Sequence, residues 1–207
     1  MREKIYERTK RWLDVSLSAT LMILMLPVYL AVALSVFLSL GRPILFVQTR
    51  PGLNEKPFNL IKFRTMRPQV ETRSSSEGDR LTRLGRFLRS TSLDEIPSLW
   101  NILRGEMSFV GPRPLLPEYL PLYSEKHRRR HSVKPGLTGL AQVNGRNLLE
   151  WREKLDFDVE YVDSRGFRMD LYILSRTLKV LVFRSGVSRT RDVSMPPMER
   201  GYDQRTS

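Results

Sequence analysis

Two adjacent carboxylates, Asp94 and Glu95, follow a basic run of Arg83, Arg86 and Arg89 in this chain. At a helix start they would face the positive end of the dipole, which keeps carboxylates ionised and draws anions to the same spot. Spacing alone leaves a second reading open, in which they are simply favourable first-turn acids. The segment Gly111-Pro112-Arg113-Pro114 is the next candidate. Its two prolines hold the backbone around Arg113, so the guanidinium is presented with little entropic loss, and planar bidentate contact with phosphate suits Arg. A rigid surface turn with an exposed Arg is the alternative. Lys62 and Arg64 flank Phe63, which lets both point to one side of an extended segment. His127 and His131 flank Arg128, Arg129 and Arg130, a poor place to attract a metal cation, and no zinc site is expected there.

These side chains need elements to position them. Ser92 and Glu95 have the spacing of a capping box, so a helix is expected to begin near Leu93 or Asp94 with Pro97 in its first turn. Deeper in a helix Pro97 would cost about 3 kcal/mol. Ile96, Leu99, Trp100 and Leu103 then fall on one buried face, and Gly105 is a natural stop. Residues 44–48 and 58–63 read as strands around the turn Pro51-Gly52-Leu53-Asn54, and residues 107–110 as a strand leading into Gly111. From Leu81, the residues Leu84, Phe87 and Leu88 form an apolar helix face suited either to a lipid headgroup surface or to a solvated domain helix. Residues 118–131 read as a helix stopped by Lys134-Pro135-Gly136. Asn144-Gly145 reads as a hairpin turn after a strand at 140–143. Helices follow at about 149–162 and 169–183. A polar Ser-rich loop is expected at 71–79 and a polar, disordered tail from Ser185.

The chain has 207 residues and a net charge of +13, with 35 Lys and Arg against 22 Asp and Glu. Such a surface favours phosphates, whether of nucleic acid, acidic lipid or nucleotide-like substrates. The absence of cysteine excludes disulfides and thiolate metal sites. Residues 15–40 carry no charge, and about 1.5 Å per residue would carry them across a bilayer core of roughly 30 Å. Pro27 lies in the middle of that run and calls for a kink. Basic residues on both flanks, from Arg8, Lys10 and Arg11 to Arg42 and Arg50, want both ends in the cytoplasm. A helix that enters, bends at Pro27 and returns satisfies both facts, since each half reaches only about 20 Å. Re-entry is therefore favoured over a span.

Taken together, four segments resemble one family: Lys62-Phe63-Arg64-Thr65-Met66, the run from Leu84 to Pro97, the run from Leu99 to Pro114, and the run from Lys134 to Arg146. Their order and wording resemble the bacterial sugar transferases, small monotopic phosphoglycosyl transferases that start glycan assembly on a polyprenyl phosphate. The resemblance implies an α+β fold, mainly helical with short strands and a hairpin. It would comprise a re-entrant membrane helix over 1–41, a cytoplasmic catalytic domain over 42–186 and a tail over 187–207. It further implies transfer of a sugar phosphate from a UDP-sugar to undecaprenyl phosphate, with release of UMP, at the bacterial inner membrane and with Mg²⁺ as cofactor.

By the same resemblance Asp94 matches the nucleophile and Glu95 the second member of the dyad, both candidate metal ligands. Arg89 matches an arginine that binds substrate phosphate, and Arg113, beside Pro112, the nucleotide-side arginine. Lys62, Arg64, Gln142 and Arg146 complete the candidate binding residues. One departure concerns the kink, where Leu26 precedes Pro27 in place of a serine found in many relatives. The partners implied are UDP-sugar, undecaprenyl phosphate and membrane lipids, with no nucleic acid; the sugar and the oligomeric state stay open. A basic nucleic-acid-binding protein tethered to a membrane would explain the charge and leave the dyad idle. An inactive scaffold would not need both acids.

Overall fold

Pro27 shapes the N-terminus. In the computed structural model, which describes residues 2–68, 80–145, 149–183, 198–199 and 202, helix α1 (Arg2–Leu24) and helix α2 (Leu26–Leu40) meet at Met25 with a bend of 63°. Pro27 falls in the first turn of α2, where its missing N–H breaks no helical bond. The bend forms without a hydroxyl neighbour at position 26. Among the described residues no single helix is long and apolar enough to cross a membrane, whereas the bent pair passes that test by length and composition. Ile23, Leu24, Leu26, Leu30, Leu34 and Leu38 are more than half exposed, and the last four recur at every fourth position, which puts them along one face of α2.

The polar half of α1 is docked on the rest of the chain. Tyr6 and Lys10 both donate to Asp170 Oδ2, at 2.9 and 2.7 Å. Arg11 donates to the carbonyls of Ile102 and Leu103 at 2.6 and 2.7 Å, and buried Asp14 accepts from the Phe109 amide. The first helix thus holds the far end of the segment that carries the carboxylates.

Strands β1 (Leu45–Pro51) and β2 (Pro57–Phe63) form the expected antiparallel hairpin, paired from Leu45 with Phe63 to Pro51 with Pro57. Helix α3 (Arg83–Thr91), a 3-10 turn (Leu93–Ser98) and helix α4 (Leu99–Arg104) follow. Gly105 ends α4 at φ 83°, a left-handed position that glycine takes without strain. Strand β3 (Ser108–Val110) pairs in parallel with β4 (Gly136–Thr138). The chain closes with α6 (Leu140–Asn144), α7 (Trp151–Ser164) and α8 (Phe167–Phe183). The described fold is mostly helical with two small two-stranded sheets.

The main core joins Phe58 and Leu60 of β2 to Leu99, Ile102, Phe109, Tyr161 and Ile173, and Leu21 and Met22 of α1 pack against it. A second cluster joins Val32 and Val36 of α2 to Phe63 and Leu88, with Leu93 and Ile96 at its edge. The carboxylate segment therefore sits directly on the contact between α2 and α3.

Several expectations change. The capping box at Ser92 does not form: Ser92 has left-handed backbone angles and ends α3, without a side-chain cap bond. Leu99 is buried but Trp100 is 48% exposed, because the 3-10 turn through Pro97 shifts which residues face inward. The helix at 118–131 is broken into a 3-10 turn (Pro117–Leu122) holding Pro121, helix α5 (Glu125–Arg128) and a second 3-10 turn (Arg129–Ser132). Residues 140–143 are helical as part of α6, which buries Leu140, Ala141 and Val143 together, and Asn144-Gly145 closes that helix instead of turning a hairpin. The Ser-rich loop and Arg146 lie outside the described residues. So does most of the tail, yet Met198 and Tyr202 are 4% and 8% exposed and join the cluster of Tyr123 and Leu155.

Candidate active site

Close backbone packing brings α3 to its place. Thr82 caps the helix, its Oγ1 accepting from the Gly85 amide at 2.9 Å. A Cβ on Gly85 would lie 2.0 Å from the Thr65 carbonyl oxygen, so only glycine lets α3 rest on the residues that follow β2. Arg89 Nε then donates to Thr65 Oγ1 at 3.1 Å. Beyond the Ser92 turn, Ser98 Oγ donates to the Ile61 carbonyl at 2.8 Å. Asn101 accepts from the Ile61 amide at 3.1 Å and donates to the Asn59 carbonyl at 2.8 Å. These two buried polar residues register the carboxylate turn against β2. Sequence reasoning missed both, although small polar residues in a buried helical face are a usable signal.

That register sets the electrostatics. Glu95 Oε1 accepts from Lys62 Nζ at 2.5 Å and from an Arg113 terminal nitrogen at 2.8 Å. Burial by itself would raise the Glu95 pKa, but Arg113 and Lys62 outweigh it and hold the carboxyl at about 2. Two cations are stronger partners than one backbone amide, which is why the Glu95 side chain abandons the capping-box geometry. Asp94 differs. It is 8% exposed and has no ion-pair partner within 4.0 Å among the described residues. Burial and then the neighbouring Glu95 charge push its pKa up, against the pull of Lys62, Arg113 and Arg89. Burial and Arg113 lower the pKa of Lys62, while Glu95 resists.

Arg113 is held from behind. Gly111 donates to the Thr138 carbonyl at 2.9 Å, and the Pro112 carbonyl accepts from Gly136 at 3.0 Å. A terminal nitrogen of Arg130 donates to the Arg113 carbonyl at 2.6 Å. Arg130 itself bonds Asp158 Oδ2 through Nε and a terminal nitrogen at 2.9 and 2.7 Å, and the two side chains are only 2% and 3% exposed. The loop of Arg113 thus hangs between a parallel strand pair and a buried ion pair.

A cleft opens in front of Glu95, lined by Arg50, Leu60, Lys62, Ser98, Met107, Arg113, Leu115 and Leu137. The expected site residues divide around it. Asp94, Glu95, Lys62, Pro112 and Arg113 share one neighbourhood, and Arg89 acts on Asp94 from α3. Arg64 does not join them. Its guanidinium donates to the carbonyls of Leu40 and Arg42, because β2 ends at Phe63 and strand alternation no longer governs the next side chain. Gln142 donates to the Leu137 carbonyl at 3.0 Å and makes no hydrogen bond to the dyad. Arg50, absent from the sequence-based set, lines the cleft. His127 bonds Tyr202 and Asp156. Among the described residues no group of three or more His, Asp or Glu could hold a metal ion by itself. The dyad fits a different donor set, in which Mg²⁺ takes one or two carboxylates and completes its shell with phosphate oxygens and water. Asp94, buried and without an ion-pair partner among the described residues, is the carboxylate not already taken by a cation.

The profile of the bacterial sugar transferase family matches residues 5–184. An uncharacterized sugar transferase of Bacillus subtilis, EpsL, is 46% identical over 187 residues, covering 89% of this chain and 93% of its own length. A UDP-glucose:undecaprenyl-phosphate glucose-1-phosphate transferase of Caulobacter vibrioides is 40% identical over 84% of this chain and 69% of its own. A relative of the same description from Escherichia coli is 40% identical over 82% of this chain, which spans 39% of that longer protein. A family match over most of the chain, together with 46% identity to a relative covered over 93% of its length, shows that the chain belongs to the bacterial sugar transferase family and is a transferase enzyme.

Proposed function

We propose that this chain moves a sugar 1-phosphate from a UDP-sugar to undecaprenyl phosphate, releasing UMP, through a phosphosugar carried on Asp94. The observation that carries this reading is the division between the two acids: Glu95 is locked between Lys62 and Arg113, while Asp94 is buried beside them without an ion-pair partner among the described residues. The names of the relatives in Caulobacter and Escherichia coli point to the same donor and acceptor. An Asp94 oxygen forms a bond to the sugar-bearing phosphorus as the bond from that phosphorus to the UMP oxygen breaks. The lipid phosphate oxygen then attacks the same phosphorus, and Asp94 leaves as a free carboxylate. Lys62, Arg89 and Arg113 set positive charge where the transferring group spreads its negative charge. Mg²⁺, held by Asp94 with or without Glu95, would neutralise the diphosphate. Glu95 keeps Lys62 and Arg113 in place, and the bent helix pair re-enters the inner membrane so that the catalytic residues face the cytoplasm.

The deciding assay uses the full chain in detergent with Mg²⁺. Labelled UMP should exchange into UDP-sugar without any polyprenyl phosphate, and one phosphosugar mass should appear on the peptide containing Asp94. Asp94→Asn should abolish both. Exchange that needs the lipid, with no adduct, would mean that the lipid phosphate attacks directly. A panel of UDP-sugars that releases no UMP with polyprenyl phosphate would refute the reading altogether.

A further inference from the structure

The cleft holds one cation that the proposed chemistry leaves without a task. Arg50 projects from β1 and lines the same cleft as Lys62, Glu95 and Arg113. One terminal nitrogen donates to Gln48 Oε1 at 2.5 Å, but its Nε is buried with no hydrogen-bond partner. It forms no ion pair among the described residues, and Glu95 Oε1 is taken by Lys62 and Arg113. A buried donor without a partner is unfavourable, and here a second guanidinium makes it worse. Burial first, and then Arg113, push the Arg50 pKa down to about 10. Two guanidinium groups facing one cleft without a bridging carboxylate are relieved by an anion offering several acceptor oxygens, which is what a phosphate presents.

The position of Arg50 says which phosphate. Arg50, Lys62, Glu95 and Arg113 line the cleft, whereas Asp94 is not among its lining residues. Arg113 meets Glu95 next to the nucleophile and shares the cleft with Arg50, so Arg50 belongs to the part of the site that Asp94 does not line. We propose that Arg50 and Arg113 together form the site for the nucleotide-borne phosphate, the one that departs with UMP. Arg50 thereby positions the donor and retains the leaving group. This rests on the reading of Asp94 as the group that meets the sugar-bearing phosphorus; the other phosphate of the diphosphate then falls beside Arg113 and within reach of Arg50.

Calorimetric titration of the full chain in detergent with Mg²⁺ tests it, using UMP, uridine and a short soluble prenyl phosphate as probes. Arg50→Met should weaken UMP by about 10-fold or more, while uridine and the prenyl phosphate bind as to the unaltered chain. Equal UMP affinity in both proteins would overturn the assignment. So would loss of the prenyl phosphate in place of UMP, which would give the site to the acceptor. If Arg50→Met loses its cooperative thermal transition, Arg50→Lys decides, because it keeps the charge and removes the planar fork. UMP binding weakened about threefold would support the site, and unchanged binding would overturn it. Turnover of UDP-sugar with UMP binding indifferent to Arg50 would sink this inference and spare the function. Arg50-dependent UMP binding without UDP-sugar turnover would do the reverse.

Discussion

Asp158→Asn is the most informative single change away from the dyad. It keeps the size of the side chain and removes the charge that Arg130 meets with two hydrogen bonds at 2.9 and 2.7 Å. Both partners are almost fully buried, so Arg130 would remain charged with no solvent to compensate it. Breaking such a pair from one side costs about 3–5 kcal/mol. For a domain of this size each kcal/mol lowers the melting temperature by about 2–4 °C, so the expected loss is about 6–20 °C. Thermal unfolding followed by tryptophan fluorescence in detergent reads it directly. Activity should fall as well, because Arg130 also donates to the Arg113 carbonyl at 2.6 Å, and a small displacement of Arg113 is enough to slow phosphoryl transfer. The double variant Arg130→Met with Asp158→Leu separates the two effects. Apolar replacement of a buried pair is often neutral, so stability should largely return, but the Arg113 carbonyl would still lack its donor and turnover should stay low. A single variant that melts within about 3 °C of the unaltered chain would refute the reasoning. A double variant with full turnover would refute the link to Arg113.

The Glu95 carboxyl, held at about 2, should contribute stability that is fully present above its ordinary value of about 4.3. That contribution is lost as pH falls towards about 2, so the melting-temperature gap between the unaltered chain and Glu95→Gln should be widest near neutrality and close on acidification. Gly85→Ala would drive a methyl group to 2.0 Å from the Thr65 carbonyl and should cost about 1–3 kcal/mol while displacing Arg89. Gly166→Ala, which meets nothing within 4 Å, should melt within about 2 °C of the unaltered chain. Chelation should abolish UMP release and Mg²⁺ restore it, with Ca²⁺ a poor substitute because of its looser coordination; full turnover in excess chelator would exclude a metal at the dyad.

Local rules made much of this molecule legible from residue order. Pro27 breaks a continuous helix wherever that helix packs, Gly105 ends one in any context, and two apolar runs separated by Pro51-Gly52 pair as a hairpin. Each depends on backbone sterics and nearest neighbours. The adjacency of Asp94 and Glu95 is likewise a fact of the chain. What the chain order did not contain was who meets whom. Glu95 meets Lys62 from 33 positions away and Arg113 from 18, and those distant charges override the local preference for a capping box at Ser92. Lys62 and Arg64 look equivalent along the strand, yet one reaches the dyad and the other closes the end of α2, because β2 stops between them. Residues 140–143 have a strand-like apolar run but coil into α6, where burial on one face outweighs intrinsic propensity. Arg50 carries no local signature at all. Its unpaired nitrogen and its nearness to Arg113 exist only once β1 and the Pro-Arg-Pro loop share a cleft, since electrostatic interaction depends on separation in space and on burial, neither of which is ordered along the chain.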